Sequence, residues 1–219
     1  MLRAQGFVGV CSSVSPATHP LSADAPALAR QSRPTHPPSL MRRLLRGLAT
    51  SSDGVDWQLH YQRCAKMYRN APVNAAERFS SRVKLAHRKA VVTMPAKAEY
   101  SHSAHALHGV NYFKMLDDAC FFAAQSTNSS NFVVTTSFTT YITRPVVASN
   151  EISHLISEGV VTSASKSLVL AEAVMRLPDG TEVGRGSGTF MPHPKFALPS
   201  IPMYGDEDEY PFSDEDGVL

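Results

Sequence analysis

Two aspartates lie in the most apolar stretch of the chain. A carboxylate buried there must be paired with another group or have a functional role. In residues 110–126, apolar side chains recur at spacings of three and four, which predicts a helix with one buried stripe. The apolar members of this stripe are Phe113, Leu116, Cys120, Phe121, Ala123 and Ala124. Asp117 falls on the stripe, whereas Asp118 has Lys114 one turn earlier and can remain solvated with it. Asp117 is therefore a candidate for chemistry, and a structural aspartate bonded to a loop is the alternative.

Three histidines precede this helix at spacings of three residues: His102, His105 and His108. Such a spacing binds a metal ion when the histidines share a helix face or stand beside cysteines or carboxylates. The loop offers neither arrangement, so no metal site is predicted. His105 and His108 are expected to shape the loop, and His108 to cap the start of the helix.

The clearest strand of the chain follows the helix, after a polar turn at 126–130. Residues 131–143 alternate between an apolar face and a hydroxyl-rich face, which is typical of a half-buried strand. The apolar face holds Phe132, Val134, Phe138 and Ile142, and the other holds Thr135, Ser137, Thr139 and Thr143. Strict alternation thus directs Thr135 away from the helix.

Further strands complete an antiparallel sheet. Residues 89–101 predict a strand before the helix, and Pro95 indicates an edge position or a bulge within it. Three more strands are predicted at 151–163, 167–177 and 181–191. Consecutive strands with short connections favour antiparallel pairing, and one helix must cover the apolar face of the sheet. The predicted fold class is therefore α+β.

The regions flanking this domain differ in composition. Ahead of the first strand, region 53–88 predicts two amphipathic helices, at about 54–69 and 73–86, separated by Pro72. Its many basic residues are typical of a solvated face, with an anionic-ligand patch as the alternative. At the other end, four prolines followed by acids predict that 192–219 is an extended or disordered tail.

The first 52 residues predict an organelle transit peptide. They contain six arginines and one acid and are rich in serine, alanine and proline. Residues 41–52 resemble a compact mitochondrial presequence, so translation from Met41 is an open alternative. A mitochondrial matrix location is expected, with a plastid as the alternative destination. A disordered basic segment without a targeting function is the other alternative.

The cysteines and the hydropathy of the chain indicate which cellular environment it suits. Cys11, Cys64 and Cys120 are far apart and have neither a disulfide pattern nor zinc-finger spacing, which is typical of a reducing compartment. No run of 18 apolar residues exists, so no membrane span is predicted.

Residues 97–191 resemble hotdog-fold thioesterases of the phenylacetic-acid-degradation and acyl-CoA thioesterase type. That family has a His-Gly pair opening a central helix and an Asp nine residues after the His, matched here by His108-Gly109 and Asp117. Counting on without gaps, Thr135 and Pro145 fall where the family has a Ser or Thr and a Pro. The closing glycine-rich pattern is met by residues 179–190.

The resemblance implies a hotdog domain over residues 89–191, with one long helix wrapped by a curved antiparallel sheet. It implies hydrolysis of fatty or aryl acyl-CoA to the free acid and CoA, without a cofactor. Asp117 would be the general base or the nucleophile, the Gly109 amide would bind the thioester oxygen, and Thr135 would orient the water or the carboxylate. Relatives place this pocket across a homodimer interface, so a dimer, possibly paired into a tetramer, is expected.

His102 departs from the family, since many relatives have an Asn six residues before the His-Gly pair. A histidine can also bond a carbonyl or water, and its titration would enter the rate profile. His108 is a candidate substrate-binding residue. Arg144, Lys166 and Arg185 are candidates for the CoA phosphates, with ordinary surface cations as the alternative.

Two other classes of function compete with a thioesterase. His102 and the charged ends of the chain also fit a non-catalytic hotdog subunit that acts as a binding or structural module in a mitochondrial assembly. A hotdog dehydratase is a third class, but the chain carries no matching motif. A nucleic-acid partner is not predicted, because the basic residues are not interleaved with a known binding motif.

Overall fold

Among the described residues, the longest helix lies against one seven-stranded sheet. The computed structural model describes residues 54–148, 152–206, 208–213 and 217–219. Its helices are α1 (Trp57–Asn70), α2 (Gly109–Gln125) and the short α3 (Pro202–Gly205). Its strands are β1 (Arg82–Ala86), β2 (Lys89–Pro95), β3 (Asn131–Ile142), β4 (His154–Ala164), β5 (Val169–Arg176), β6 (Glu182–Ala197) and β7 (Gly217–Val218). The predicted transit peptide at 1–52 lies outside the described residues.

The sheet has the strand order β3-β6-β5-β4-β2-β1-β7. All neighbours pair antiparallel except β7, which pairs parallel with β1. Strand β3 is therefore an edge strand that follows α2 directly in sequence. The predicted α+β class and the predicted strands from 131 to 177 are confirmed, with ends that differ by a few residues.

Helix α2 packs closely on β4 because one glycine leaves room for it. A Cβ at Gly159 would lie 2.2 Å from the carbonyl oxygen of Ala119, so only glycine allows this approach. The buried face of the helix carries Tyr112, Met115, Leu116, Ala119, Cys120 and Ala123. This close packing fixes the orientation of α2 over the sheet.

The predicted buried stripe of α2 is wrong at its margin. Phe113 is 44% exposed, and Phe121 and Asp117 are half-buried. The buried face includes Tyr112 and Met115, which the predicted stripe omitted, so it is rotated around the helix. Asp117 consequently stands at the border between the core and the open side of α2.

The second N-terminal helix, predicted at 73–86, is wrong. After α1, which matches the predicted 54–69, a single 3-10 turn at Pro72–Asn74 leads to β1. In β1 the buried Val83 and Leu85 alternate with less buried neighbours, which is the period of a strand. A two-residue turn then joins β1 to β2, with Arg88 at a φ of 62°.

The disordered tail predicted at 192–219 is also wrong for its described residues. Strand β6 continues through Pro192 and Pro194 to Ala197. The last pair between β5 and β6 is Val169 with Phe190, so both prolines lie beyond β5, where their missing N–H groups cost little.

Beyond β6 the chain folds back onto α1. The Tyr204 hydroxyl lies 2.9 Å from Nδ1 of His60, and Nζ of Lys66 donates to the carbonyl oxygen of Asp206 at 2.9 Å. The described segment beyond β6 therefore packs on α1 through the Tyr204 side chain and the Asp206 backbone. In the part of the chain that the structure describes, no helix is long and apolar enough to cross a membrane.

Candidate active site

The Asp117 carboxylate and the Thr135 hydroxyl meet between α2 and the edge strand β3. The Thr135 Oγ1 donates to Oδ1 of Asp117 at 3.1 Å. The predicted outward direction of Thr135 is wrong, because Thr135 shares its face of β3 with the fully buried Val133, whereas Val134 is only partly buried. A register shift between Thr135 and Ser137 in the pairing of β3 with β6 then brings Phe138 to the same side, against Phe113.

Phenylalanine pairs flank this polar contact on both sides. One turn before Asp117, Phe113 lies 5.4 Å from Phe138 in an edge-to-face arrangement. One turn after it, Phe121 lies 5.2 Å from Phe132. We call the space bordered by Phe113, Asp117, Phe121, Phe132, Thr135 and Phe138 the α2–β3 groove.

Glycines of β6 make room for the wall of this groove. A Cβ at Gly188 would lie 2.4 Å from the Phe138 ring, and a Cβ at Gly186 would lie 2.7 Å from it. The alternating glycines of β6 were a sequence signal for close approach, and the residue that approaches is Phe138. Sequence reasoning placed Phe138 on the apolar face but did not connect it with Asp117.

The groove changes the acidity of the candidate carboxylate. Burial raises the pKa of Asp117 from 3.8 to about 6, against the hydrogen bond from Thr135, which lowers it. The negative charge of Asp118 raises this pKa further and the positive charge of Lys114 lowers it. Asp117 is therefore ionised at neutral pH and is a stronger base than an exposed aspartate.

A second feature, a cavity of about 360 Å³, lies at the N-terminus of α2. His102, Gly109 and Arg144 line it, together with apolar side chains from Leu107, Tyr112, Ile142 and Pro145. Among the described residues, no hydrogen bond to the Gly109 amide is found, so this N–H can serve a ligand. Tyr112, which sequence reasoning missed, donates its hydroxyl to the Arg144 carbonyl at 2.9 Å and holds one wall.

Hydrogen bonds orient two of the loop histidines. The amide of Ala104 donates to Nδ1 of His102 at 3.1 Å, and the amide of Val110 donates to Nδ1 of His108 at the same distance. Each ring therefore accepts at Nδ1 and, when neutral, carries its proton on Nε2. His108 is the residue that caps α2, as expected.

A shared metal is not supported by the placement of these histidines. The rings of His102 and His108 lie 6.5 Å apart, and both use Nδ1 for a backbone amide. His105 stands in a left-handed conformation with a φ of 60°. Within the described ranges no group of three or more His, Cys, Asp or Glu residues is placed to hold a metal ion.

One chain does not bring the two candidate features together. Gly109 and Asp117 are eight residues apart on the same helix, which corresponds to about 12 Å along its axis. Asp117 and Thr135 do not line the cavity at the helix N-terminus. A single acyl carbonyl therefore cannot touch the Gly109 amide and the Asp117 carboxylate of one protomer.

The three candidate phosphate contacts lie at different ends of the sheet. Arg144 lies at the cavity, just beyond the C-terminal end of β3. Lys166 lies in the turn between β4 and β5, beyond the pair of Val169 with Phe190 and thus near the opposite end of β5. Arg185 is exposed on β6 and donates from Nη2 to Glu182 at 2.8 Å. Only Arg144 is brought to the other candidate residues.

Solved structures share this architecture. PaaI of Escherichia coli, from the phenylacetic acid degradation operon, is similar with a TM-score of 0.55 and 20% identity, covering 62% of this chain and 94% of its own. The chain has the hotdog fold. A thioesterase family protein from Silicibacter pomeroyi shares this hotdog fold with a TM-score of 0.53 and 22% identity, over 60% of this chain and 96% of its own.

A third hotdog protein is a thioesterase from Haemophilus influenzae, with a TM-score of 0.51 and 12% identity over 58% of this chain and 86% of its own. No protein-family model matches the chain, and no curated protein matches it. The match to PaaI leaves 38% of this chain outside it. The hotdog domain therefore carries additional chain, in keeping with the folded segment beyond β6.

Proposed function

We propose that the protein is an acyl-CoA thioesterase that hydrolyses fatty or aryl acyl-CoA to the free acid and CoA. One observation carries the proposal: a half-buried carboxylate, Asp117, is oriented by Thr135 in an apolar groove at the open edge of a hotdog sheet. The groove suits an acyl group, and its carboxylate suits the activation of water. Solved hotdog structures named as thioesterases support the same reaction class.

In the proposed reaction, Asp117 accepts a proton from water while the water oxygen attacks the thioester carbonyl. The tetrahedral intermediate then collapses, the carbon–sulfur bond breaks, and the CoA sulfur takes the proton that Asp117 removed from water, giving the free acid and CoA. Direct attack by the carboxylate is the alternative: it breaks the carbon–sulfur bond, expels the CoA thiolate and forms an acyl–aspartyl anhydride, which water hydrolyses in a second step. A pKa of about 6 leaves Asp117 ionised and ready for either role at neutral pH.

The negative oxygen of the intermediate requires donors that one protomer does not place near Asp117. We propose that a second copy supplies the Gly109 amide and the Nε2–H of His102 from its cavity. In the sheet of described strands β3 has one unpaired edge, and Tyr141 and Ile142 near its end are 61% and 52% exposed. Pairing of two β3 edges would cover this surface and would form a composite site.

The leader motivates a proposal about location. Its arginine-rich, acid-poor composition fits import into the mitochondrial matrix, with a plastid as the other destination. A fusion of residues 1–52 to a fluorescent protein tests this: uptake into mitochondria supports the proposal, and a diffuse signal contradicts it.

The reaction is tested by thiol release from acyl-CoAs of several chain lengths, with the full chain and its Asp117→Asn variant. We expect turnover by the wild type and a loss of about 10²–10⁴-fold in kcat for the variant, because the base is removed. Glu158→Gln, which changes a partly exposed carboxylate on β4 that pairs with Lys89, is the control and should retain activity. A stable protein without turnover on any acyl-CoA would support the non-catalytic subunit instead.

The composite site is tested by mixing two inactive variants. Asp117→Asn and His102→Ala each damage both sites of their own dimers. In a mixed dimer, one site combines an intact Asp117 with an intact His102. Random exchange should then restore about a quarter of the wild-type activity, whereas a site within one chain would regain none.

A further inference from the structure

A charged cluster lies on the face of α2 next to the α2–β3 groove. Oδ2 of Asp118 accepts a hydrogen bond of 2.7 Å from the Tyr68 hydroxyl of α1. Nζ of Lys114 also bonds this carboxylate oxygen, one turn earlier on α2, and contacts the Tyr68 oxygen at 3.2 Å. The three side chains close a triangle between α1 and α2.

This triangle is largely shielded from solvent. The side chains of Lys114 and Asp118 are 12% and 22% exposed. The Lys114 ammonium lies 5.1 Å from the centre of the Tyr68 ring and 5.3 Å from that of Phe79. Charges enclosed in this way are screened less than surface charges, so they act on neighbouring groups.

Tyr68 is itself held from the other side. Its hydroxyl lies 3.0 Å from Oγ of Ser81, which donates to Oδ1 of Asn74 at 2.9 Å. The Asn74 amide in turn donates to the Tyr68 carbonyl at 2.7 Å. Helix α1 and the segment before β1 therefore fix the position of the Tyr68 hydroxyl, which donates a hydrogen bond to Asp118.

Asp117 stands between the two charges of the cluster along α2. Asp118 is its direct neighbour, and Lys114 lies three residues earlier, a spacing at which side chains on a helix are about 5–6 Å apart. The anion at 118 disfavours the charged form of Asp117, and the cation at 114 favours it.

Other elements packed around Asp117 contribute little charge. Strand β3 contains no Asp, Glu, Lys, Arg or His, and its contact with Asp117 is the neutral hydroxyl of Thr135. Cys120, one turn on, is buried, and burial raises the pKa of its thiol, which therefore stays neutral. Glu172 of β5 acts on Cys120 and does not figure among the groups that shift Asp117.

We propose that Lys114, Asp118 and Tyr68 are positioning residues for Asp117: they hold the turn of α2 that carries it and balance the charge beside it. This inference rests on the proposed thioesterase function. It gives α1 a role in the reaction although α1 reaches α2 through Tyr68, which contacts Asp118 and Phe122 and not the groove. The pH range of the reaction then depends on a cluster that does not touch the substrate.

The test follows the titration of Asp117 by ¹³C NMR of its carboxyl carbon in the full chain, with Asp117→Asn to assign the signal. Lys114→Met should move the midpoint to higher pH, and Asp118→Asn should move it to lower pH. Each shift should be at least about half a pH unit, the value for unit charges about 6 Å apart in bulk water, because shielded charges interact more strongly than that. Lys114→Arg, which keeps the charge, should restore the wild-type midpoint.

The pH profile of kcat/KM for thiol release should shift in the same two directions. Tyr68→Phe, which removes no charge, should lower kcat with little change in KM or in the midpoint. Glu182→Gln, which breaks the surface pair with Arg185, is the control and should leave the midpoint in place.

The two hypotheses fail differently. If wild type releases no thiol but the NMR midpoints move in opposite directions, the thioesterase is wrong and the charge balance stands. If wild type turns over acyl-CoA and the Lys114→Met and Asp118→Asn midpoints coincide with that of wild type, the positioning role is wrong. Movement of both midpoints in the same direction would also overturn the positioning role, because such a shared shift would indicate a general loss of structure.

Discussion

The Thr135 hydroxyl lies 3.1 Å from the Asp117 carboxylate although Thr135 belongs to the hydroxyl-rich face of its strand. Thr135 lies two residues after the buried Val133 and therefore on the same face of the strand. Gln125 fixes the start of this strand, since its Oε1 accepts from the Val133 amide at 2.9 Å. The contact therefore depends on which residue of β3 turns into the core at the start of the strand.

Removal of the Thr135 hydroxyl should raise the pKa of Asp117 and lower the rate, because the carboxylate loses the donor that orients it. Thr135→Val keeps the shape of the side chain but removes this donor, whose hydrogen bond lowers the pKa of Asp117 in the native protein. We expect the acidic limb of the pH–rate profile to move to higher pH and kcat to fall roughly ten-fold, as for loss of a hydrogen bond to a charged group. Thr136→Val is the matched control, since that hydroxyl bonds Thr189 of β6.

The acidic limb of the wild-type pH–rate profile should follow the ionisation of Asp117 near pH 6. Because Asp117 acts as the carboxylate and its pKa is about 6, kcat/KM should rise with pH below this value and level off above it. A profile from pH 4.5 to 8.5 with one acyl-CoA measures it. An acidic limb with its midpoint near 4 would contradict the burial of this carboxylate.

His60 should make the folded state sensitive to acid. Burial lowers its pKa from 6.5 to about 4, and its neutral ring donates from Nε2 to the Gln125 carbonyl at 3.0 Å. The unfolded chain binds this proton first, so its contribution to stability is complete above pH 6.5 and is lost as pH falls toward 4. The loss approaches about 3 kcal/mol at the acidic end.

Urea unfolding at several pH values measures this effect as the difference between wild type and His60→Gln. The difference isolates His60 because the raised pKa of Asp117 acts with the opposite sign between pH 3.8 and about 6. His87→Gln, an exposed histidine, is the control. Parallel pH curves for wild type and His60→Gln would show that His60 is not held neutral.

A methyl group on β6 should displace the wall of the groove. In Gly188→Ala the new Cβ would lie 2.4 Å from the Phe138 ring and 2.8 Å from the Ser137 carbonyl oxygen. We expect a loss of about 1–3 kcal/mol in the free energy of unfolding, as for overpacked cores, and a larger fractional loss of activity. Ser187→Ala, whose side chain is exposed on the neighbouring position, should be tolerated.

The folded segment beyond β6 should contribute to stability. Deletion of residues 202–219 uncovers Lys66 and removes the Tyr204 hydroxyl that donates to His60. We expect a clear decrease in Tm, since a buried lysine and a buried imidazole would each lose a partner. Tyr204→Phe, which removes only the hydroxyl, should lower the unfolding free energy by about 1 kcal/mol. An unchanged Tm after the deletion would show that this segment does not support α1.

The sequence by itself determined α2, the strands from β3 to β5 and the candidate pair Gly109 and Asp117, because local periodicity and a spaced motif carry them. Only the tertiary structure decided the strand at Arg82–Ala86, the path of β6 past Pro192 and the inward turn of Thr135. These depend on pairing partners distant in sequence: β2 for β1, the end of β5 for the prolines, and β6 for the face of β3 that holds Val133 and Thr135. Local pattern fixes which elements form, whereas long-range pairing fixes where each side chain points.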